Sequence, residues 1–182
     1  MALKLNQFRR RRQFTIPVPI STRTRVASIS KNRIDIGNLR RFAVERWPEV
    51  EAFRPHVLLG GIADLRKLAA LADAGTLDFS SIDTAVLVGT NLAFGTISDV
   101  ERVVLWQAFG VPVYELLLAP DGQLIASECE AHEGWHIEAH MERRTLAGGT
   151  SLETAKCACG RTEPRIMPAN HLPLSRALAA IA

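Results

Sequence analysis

The chain is 182 residues long, 47% hydrophobic and 23% charged, with a formal net charge of +3. That length suits one domain able to bury a real core. No apolar run approaches the roughly 20 residues of a membrane helix, so a membrane protein is not expected.

The charge is uneven. Residues 1–50 carry twelve Lys or Arg against three acids, and the rest of the chain is net acidic. A basic arm on an acidic body suits nucleic acid, an acidic partner or the body itself. Arg9, Arg10, Arg11 and Arg12 are adjacent. Only Phe8 and Phe14 flank them and no recognition-helix pattern follows, so any nucleic-acid affinity would be salt-dependent and sequence-blind. No cleavable apolar segment follows the arginines, and a cytoplasmic location is expected.

In chain order, residues 14–29 are rich in Thr, Ile and Val and read as one or two strands. Ile36, Leu39, Phe42, Ala43 and Trp47 recur at helical spacing, which predicts a helix over 36–47 ended by Pro48. Residues 57–59 form a short apolar strand, Gly60-Gly61 a turn, and 62–74 a helix with Leu65, Leu68, Ala69 and Ala72 on one side and Gly75 at its end. Residues 84–88 are the next strand. Ser98 with Glu101 makes a capping box for a helix running through Val100, Val103, Val104 and Trp106 to Gly110. Residues 112–118 and 123–126 are strands joined around Pro120-Asp121-Gly122. Residues 135–141 alternate as a further strand, and 174–181 form a short apolar helix.

Trp47, Trp106 and Trp135 are expected in the core. The fold class is α/β: a mostly parallel sheet with flanking helices, antiparallel strands and a metal knuckle toward the C-terminal half. The expected division is an arm over 1–35, a domain over 36–168 and a tail over 169–182.

Three cysteines leave one unpaired, and Cys157 and Cys159 are only two apart, too close for an unstrained disulfide. Clustered thiols in a reducing compartment point instead to metal. Cys129-x-x-His132 follows a strand, and Cys157-x-Cys159-Gly160 lies on a turn. Two short pairs brought together by an intervening hairpin build a tetrahedral Cys₃His zinc site, closed and therefore structural. The favoured ligands are Cys129, His132, Cys157 and Cys159, with His136 as the alternative fourth ligand.

The same residues carry a resemblance. Phe109-Gly-Val-Pro-Val-Tyr-Glu-Leu, Ser127-Glu-Cys129-Glu-Ala-His132-Glu-Gly-Trp-His136-Ile, and Cys157-Ala-Cys159-Gly-Arg-Thr-Glu-Pro-Arg165-Ile resemble the phenylacetate-CoA ligase-like branch of the adenylate-forming (AMP-binding) enzymes, some of which bind zinc there. Arg54-Pro-His-Val-Leu-Leu-Gly-Gly-Ile-Ala-Asp-Leu extends the likeness, so that it covers about residues 36–168. The resemblance implies acyl-adenylate and thioester chemistry, but its catalytic positions are changed. The family's early phosphate loop, ribose-binding Asp and C-terminal domain with a catalytic lysine have no counterpart within these 182 residues. Its Tyr-Gly-x-Thr-Glu motif falls on Leu117-Leu118-Ala119-Pro120-Asp121, where only Asp121 keeps a carboxylate, and its Gly-Glu pair is Gly89-Thr90.

The expected function is thus a non-catalytic, zinc-stabilised binding or scaffold module, in a homo-oligomer or with a protein partner. An acyl-CoA or nucleotide binder, or a residual ligase, using Gly89, Thr90, Asn91 and Asp121 is the alternative. Arg161 and Arg165 are expected to pair with nearby acids.

Overall fold

The computed structural model describes residues 18, 20–29, 39–43, 45–91, 96–138 and 151–167. Unbroken apolar runs make its central strands. β3 (Val57–Gly60) and β4 (Ala85–Thr90) are buried on both faces, so neither shows a polar alternation. Leu58, Val86 and Val88 face a cluster with Leu65, Leu68, Leu105 and Phe109 from helices α2 (Ile62–Asp73) and α3 (Asp99–Phe109). Val57, Leu59, Ala85 and Leu87 face the other way, with Val18 and Val26.

Among the described residues there are nine strands in one sheet, ordered β2-β1-β3-β4-β5-β6-β7-β9-β8. β1 (Val26–Ser28), β2 (Leu39–Arg41), β3, β4 and β5 (Val113–Leu118) are parallel. β6 (Leu124–Glu128), β7 (Trp135–Ile137), β9 (Arg165–Met167) and β8 (Ser151–Glu153) continue antiparallel. The sheet is therefore evenly mixed rather than mostly parallel, since the stretch after residue 150 adds β8 and β9, which carry little strand signal.

The helix expected over 36–47 is not there. Residues 39–41 are β2, with Leu39 registered against Val26, and the helix α1 (Trp47–Phe53) begins where the other was to end. Pro48 sits in the first turn of α1, where its missing N–H costs nothing. Of the strand expected over 14–29, residues 26–28 are β1. The domain boundaries near 35 and 168, Arg9 to Arg12, and the tail helix lie outside the described residues.

α3 has the caps its sequence announces. The Ser98 hydroxyl accepts from the Glu101 N–H, and the Glu101 carboxylate accepts from the Ser98 N–H. Gly110, at φ 67°, closes the other end by donating to the Trp106 carbonyl at 2.8 Å. Its buried side is Leu105 and Phe109, which leaves Val100, Val103, Val104 and Trp106 on the outside. Trp106 is 57% exposed and is not a core residue, whereas Trp135 is. Among the described residues, no helix is long and apolar enough to cross a membrane.

Candidate metal centre

β6 and β7 are antiparallel neighbours in which Ser127 lies opposite His136. Side chains alternate along a strand, so Cys129, two residues beyond Ser127, falls on the face that carries His136. The chain returns from Cys129 through a tight turn in which the His132 N–H donates to the Cys129 carbonyl at 2.9 Å. His132 adopts φ 51° and Gly134 φ 93° in that turn. A second turn, closed by the Gly160 N–H on the Cys157 carbonyl at 2.9 Å, presents Cys157 and Cys159.

The ligand atoms of Cys129, His136, Cys157 and Cys159 all lie within 4.8 Å of one another. Cys129 Sγ is 3.7 Å from Cys157 Sγ, and Cys159 Sγ is 3.4 Å from His136 Nε2. Cys129, His136 and Cys157 are buried and Cys159 is partly so. The structure thus unites the three predicted cysteines with the alternative histidine, not the favoured one.

His132 is 41% exposed, gives its Nδ1 to Glu128 Oε1 at 2.9 Å, and stacks on Tyr114 at 5.5 Å between ring centroids. His132 sits in the turn itself, at φ 51°, and its ring goes to Glu128 and Tyr114 instead of to the cysteines. Glu128 is itself a hub. Its carboxylate accepts from both Arg102 terminal nitrogens at 3.1 and 3.0 Å and from the Glu115 N–H at 2.9 Å.

The donor set fits a divalent metal. Burial pushes the Cys129 thiol up to about 12, so its thiolate needs a cation to be stable there. Burial, then the Arg161 charge, holds His136 below its usual range, which keeps the imidazole neutral and free to coordinate. Three thiols and one imidazole in a compact, mostly buried group match zinc's preference and leave no protein-free position for an activated water.

Arg165 pairs with an acid as expected, and it also reaches a cysteine, a contact that the sequence did not reveal. It lies opposite His136 in the β7–β9 pair, and its guanidinium reaches Cys157 Sγ at 3.5 Å, the Glu133 carbonyl at 2.9 Å and the Glu133 carboxylate at 3.1 Å. A buried cation on the sulfur offsets part of the charge of three thiolates. Arg161 pairs with Glu163 at 3.5 Å.

Gly134 holds the turn against β9. A Cβ there would lie 2.6 Å from the Ile166 carbonyl oxygen and 2.6 Å from the Met167 sulfur, at a φ that side chains rarely adopt. Gly134→Ala is expected to cost at least about 2 kcal/mol, from backbone strain and overpacking together. Denaturant titration checks it, and a variant as stable as wild type would contradict this packing.

The other predicted residues come together elsewhere. Thr90 closes β4 and Asn91 follows it, while Asp121 lies on the turn after β5, the neighbouring strand. This is the carboxyl edge of the parallel strands, the far end of the β5–β6 pair from the cysteines. Gly89 and Asp121 already have local work, whereas the buried Thr90 hydroxyl has no hydrogen-bond partner among the described residues. Gly89 lets Leu118 pack close, since a Cβ would meet its Cδ1 at 3.0 Å. Asp121 accepts from the Gln123 N–H at 3.0 Å. Near Thr90 lies Glu115, a carboxyl 1% exposed that accepts from the Ile97 N–H at 3.1 Å.

No protein-family model and no curated protein matches the chain. Solved structures do. A 2-hydroxyisobutyryl-CoA ligase in an open conformation with 2-HIB-AMP and CoA aligns at TM-score 0.56 and 11% identity over 79% of this chain and 43% of its own. The same ligase in the postadenylation state with R3-HIB-AMP gives 0.55 and 13% over 78% and 42%. The chain therefore has the fold of part of an acyl-CoA, adenylate-forming ligase, and it spans less than half the length of these structures. The likeness is one of fold and does not single out the phenylacetate-CoA ligase branch.

Proposed function

We propose that this chain is a non-catalytic module on a phenylacetate-CoA ligase-like fold, stapled by one structural zinc and acting through protein contacts. The buried Cys₃His group carries the proposal, because four protein ligands close the coordination sphere. The residues at the family's catalytic positions support the non-catalytic part. Leu117 and Leu118 are packed into β5, and Asp121 is engaged in its own turn. Purified protein should contain about one zinc per chain and show no melting shift with ATP, CoA or an aryl-CoA ester. Well-folded protein without metal overturns the zinc; a clear shift with a nucleotide or CoA ester favours the small-molecule alternative.

The partner contact is assigned to the outer side of α3 and to a second copy of the chain. Val100 is 72% and Trp106 57% exposed, and they lie three residues either side of Val103. Antiparallel pairing about Val103 sets the large Trp106 of one copy over the small Val100 of the other, with the exposed Asp99 of one copy opposite the uncharged Gln107 of the other. Light scattering should find a dimer that Trp106→Glu converts to monomer at unchanged melting temperature. A wild-type monomer at high concentration refutes the pairing.

A further inference from the structure

The three sulfurs lie within 4.8 Å of one another, and they are not equivalent. Cys129 and Cys157 are buried, while Cys159 is the one that solvent reaches. Cys157 is held to one side by the Arg165 guanidinium at 3.5 Å, which is in turn fixed on Glu133. Cys157 and Cys159, two residues apart, are too close in sequence for an unstrained bridge. Any disulfide here must therefore include Cys129, whose sulfur lies 3.7 Å from Cys157 and within 4.8 Å of Cys159; the Arg165 contact on Cys157 and the exposure of Cys159 favour the latter.

We propose that the metal-free centre is a thiol-modification site, in which Cys159 is oxidised by a hydroperoxide and Cys129 resolves it. This rests on the zinc reading only in that zinc would compete with it. In the first step the Cys159 sulfur attacks a peroxide oxygen. The O–O bond breaks, the thiol becomes a sulfenic acid, and hydrogen peroxide is reduced to water. In the second the Cys129 sulfur attacks the sulfenic sulfur. The S–O bond breaks, an S–S bond forms, and the hydroxyl leaves as water with the Cys129 proton. The product keeps Cys157 and His136 as the remaining donors, too few to close a tetrahedral site, so oxidation and zinc binding exclude each other. A dithiol reverses the bridge and restores the four donors.

The test uses the full chain, stripped by a chelator and shown to be folded by circular dichroism, then treated with hydrogen peroxide, alkylated and mapped by peptide mass spectrometry. A Cys129–Cys159 bridge with alkylated Cys157 is expected. Cys157→Ser should still form it, and Cys159→Ser should slow loss of the Cys129 thiol about tenfold or more, a difference that denaturant abolishes. Zinc loading should protect by a similar factor. A Cys129–Cys157 bridge, a Cys159→Ser variant that oxidises at the wild-type rate, or Cys159 driven to sulfinic acid without a bridge would each overturn the proposal. Metal analysis of the untreated protein judges the zinc reading separately, since the stripped arm does not depend on which ion was lost.

Discussion

On the zinc reading, His136→Ala is expected to abolish zinc binding, whereas His132→Ala should leave about one zinc per chain. The two imidazoles are four residues apart, yet only His136 shares a face with Cys129 and a contact with Cys159. A structural zinc contributes on the order of 10 kcal/mol of apparent binding free energy, and losing one of four ligands forfeits much of it. A deficit of even about 4 kcal/mol lowers the melting temperature of a chain this size by roughly 10 °C. His132→Ala removes one half-exposed hydrogen bond to Glu128 and should cost about 1 kcal/mol. Metal analysis with calorimetry on both variants decides. Zinc kept by His136→Ala and lost by His132→Ala would mean that the hairpin register is wrong.

At pH 8, Glu115→Gln is expected to make the protein more stable. Burial, opposed by the Ile97 N–H, raises the Glu115 carboxyl from 4.5 to about 7. In the unfolded chain it ionises near 4.5, so between 4.5 and 7 the unfolded state sheds a proton that the native state keeps. Stability therefore falls as pH rises through that window, and the full cost is felt above 7. The shift corresponds to about 3 kcal/mol. A glutamine keeps an acceptor for Ile97 without the charge. The difference between variant and wild type should be near zero at pH 4 and grow to pH 8. Taking that difference cancels the opposite trend of zinc binding, which strengthens as ligands deprotonate. Denaturant curves showing a gap independent of pH would dispose of the idea.

What could be read from the sequence follows the range of the forces involved. β3 and β4 are apolar on both faces, and α3 carries Ser98, Glu101 and Gly110 at its ends, so local chemistry announces them. The three cysteines were legible as one group because two of them are only two residues apart and the third sits in a short Cys-x-x-His pair. The fourth ligand was not, because choosing His136 over His132 requires knowing that residue 127 pairs with 136, a non-local fact. Leu39 and Phe42 fit a helix by spacing and a parallel edge strand by pairing, and only the neighbour β1 decides between them. Trp106 looked like core because large apolar side chains usually are, but the inner side of α3 was already filled by Leu105 and Phe109. Glu115, an acid within an apolar strand, gave no hint of its environment until α3 was placed above it.

The apolar packing is divided unequally along the sheet. Leu117, Ile125, Ala126, Trp135 and Ile166 form a cluster separate from, and much smaller than, the one beneath α2 and α3. A patch of that size does little to offset the conformational entropy of β6, β7, β8 and β9. Cooperativity between the two ends is then on loan from the knuckle. With a metal in the knuckle the sheet is expected to melt as one body; without it, the antiparallel strands should come loose first on heating while β1, β3, β4 and β5 stand.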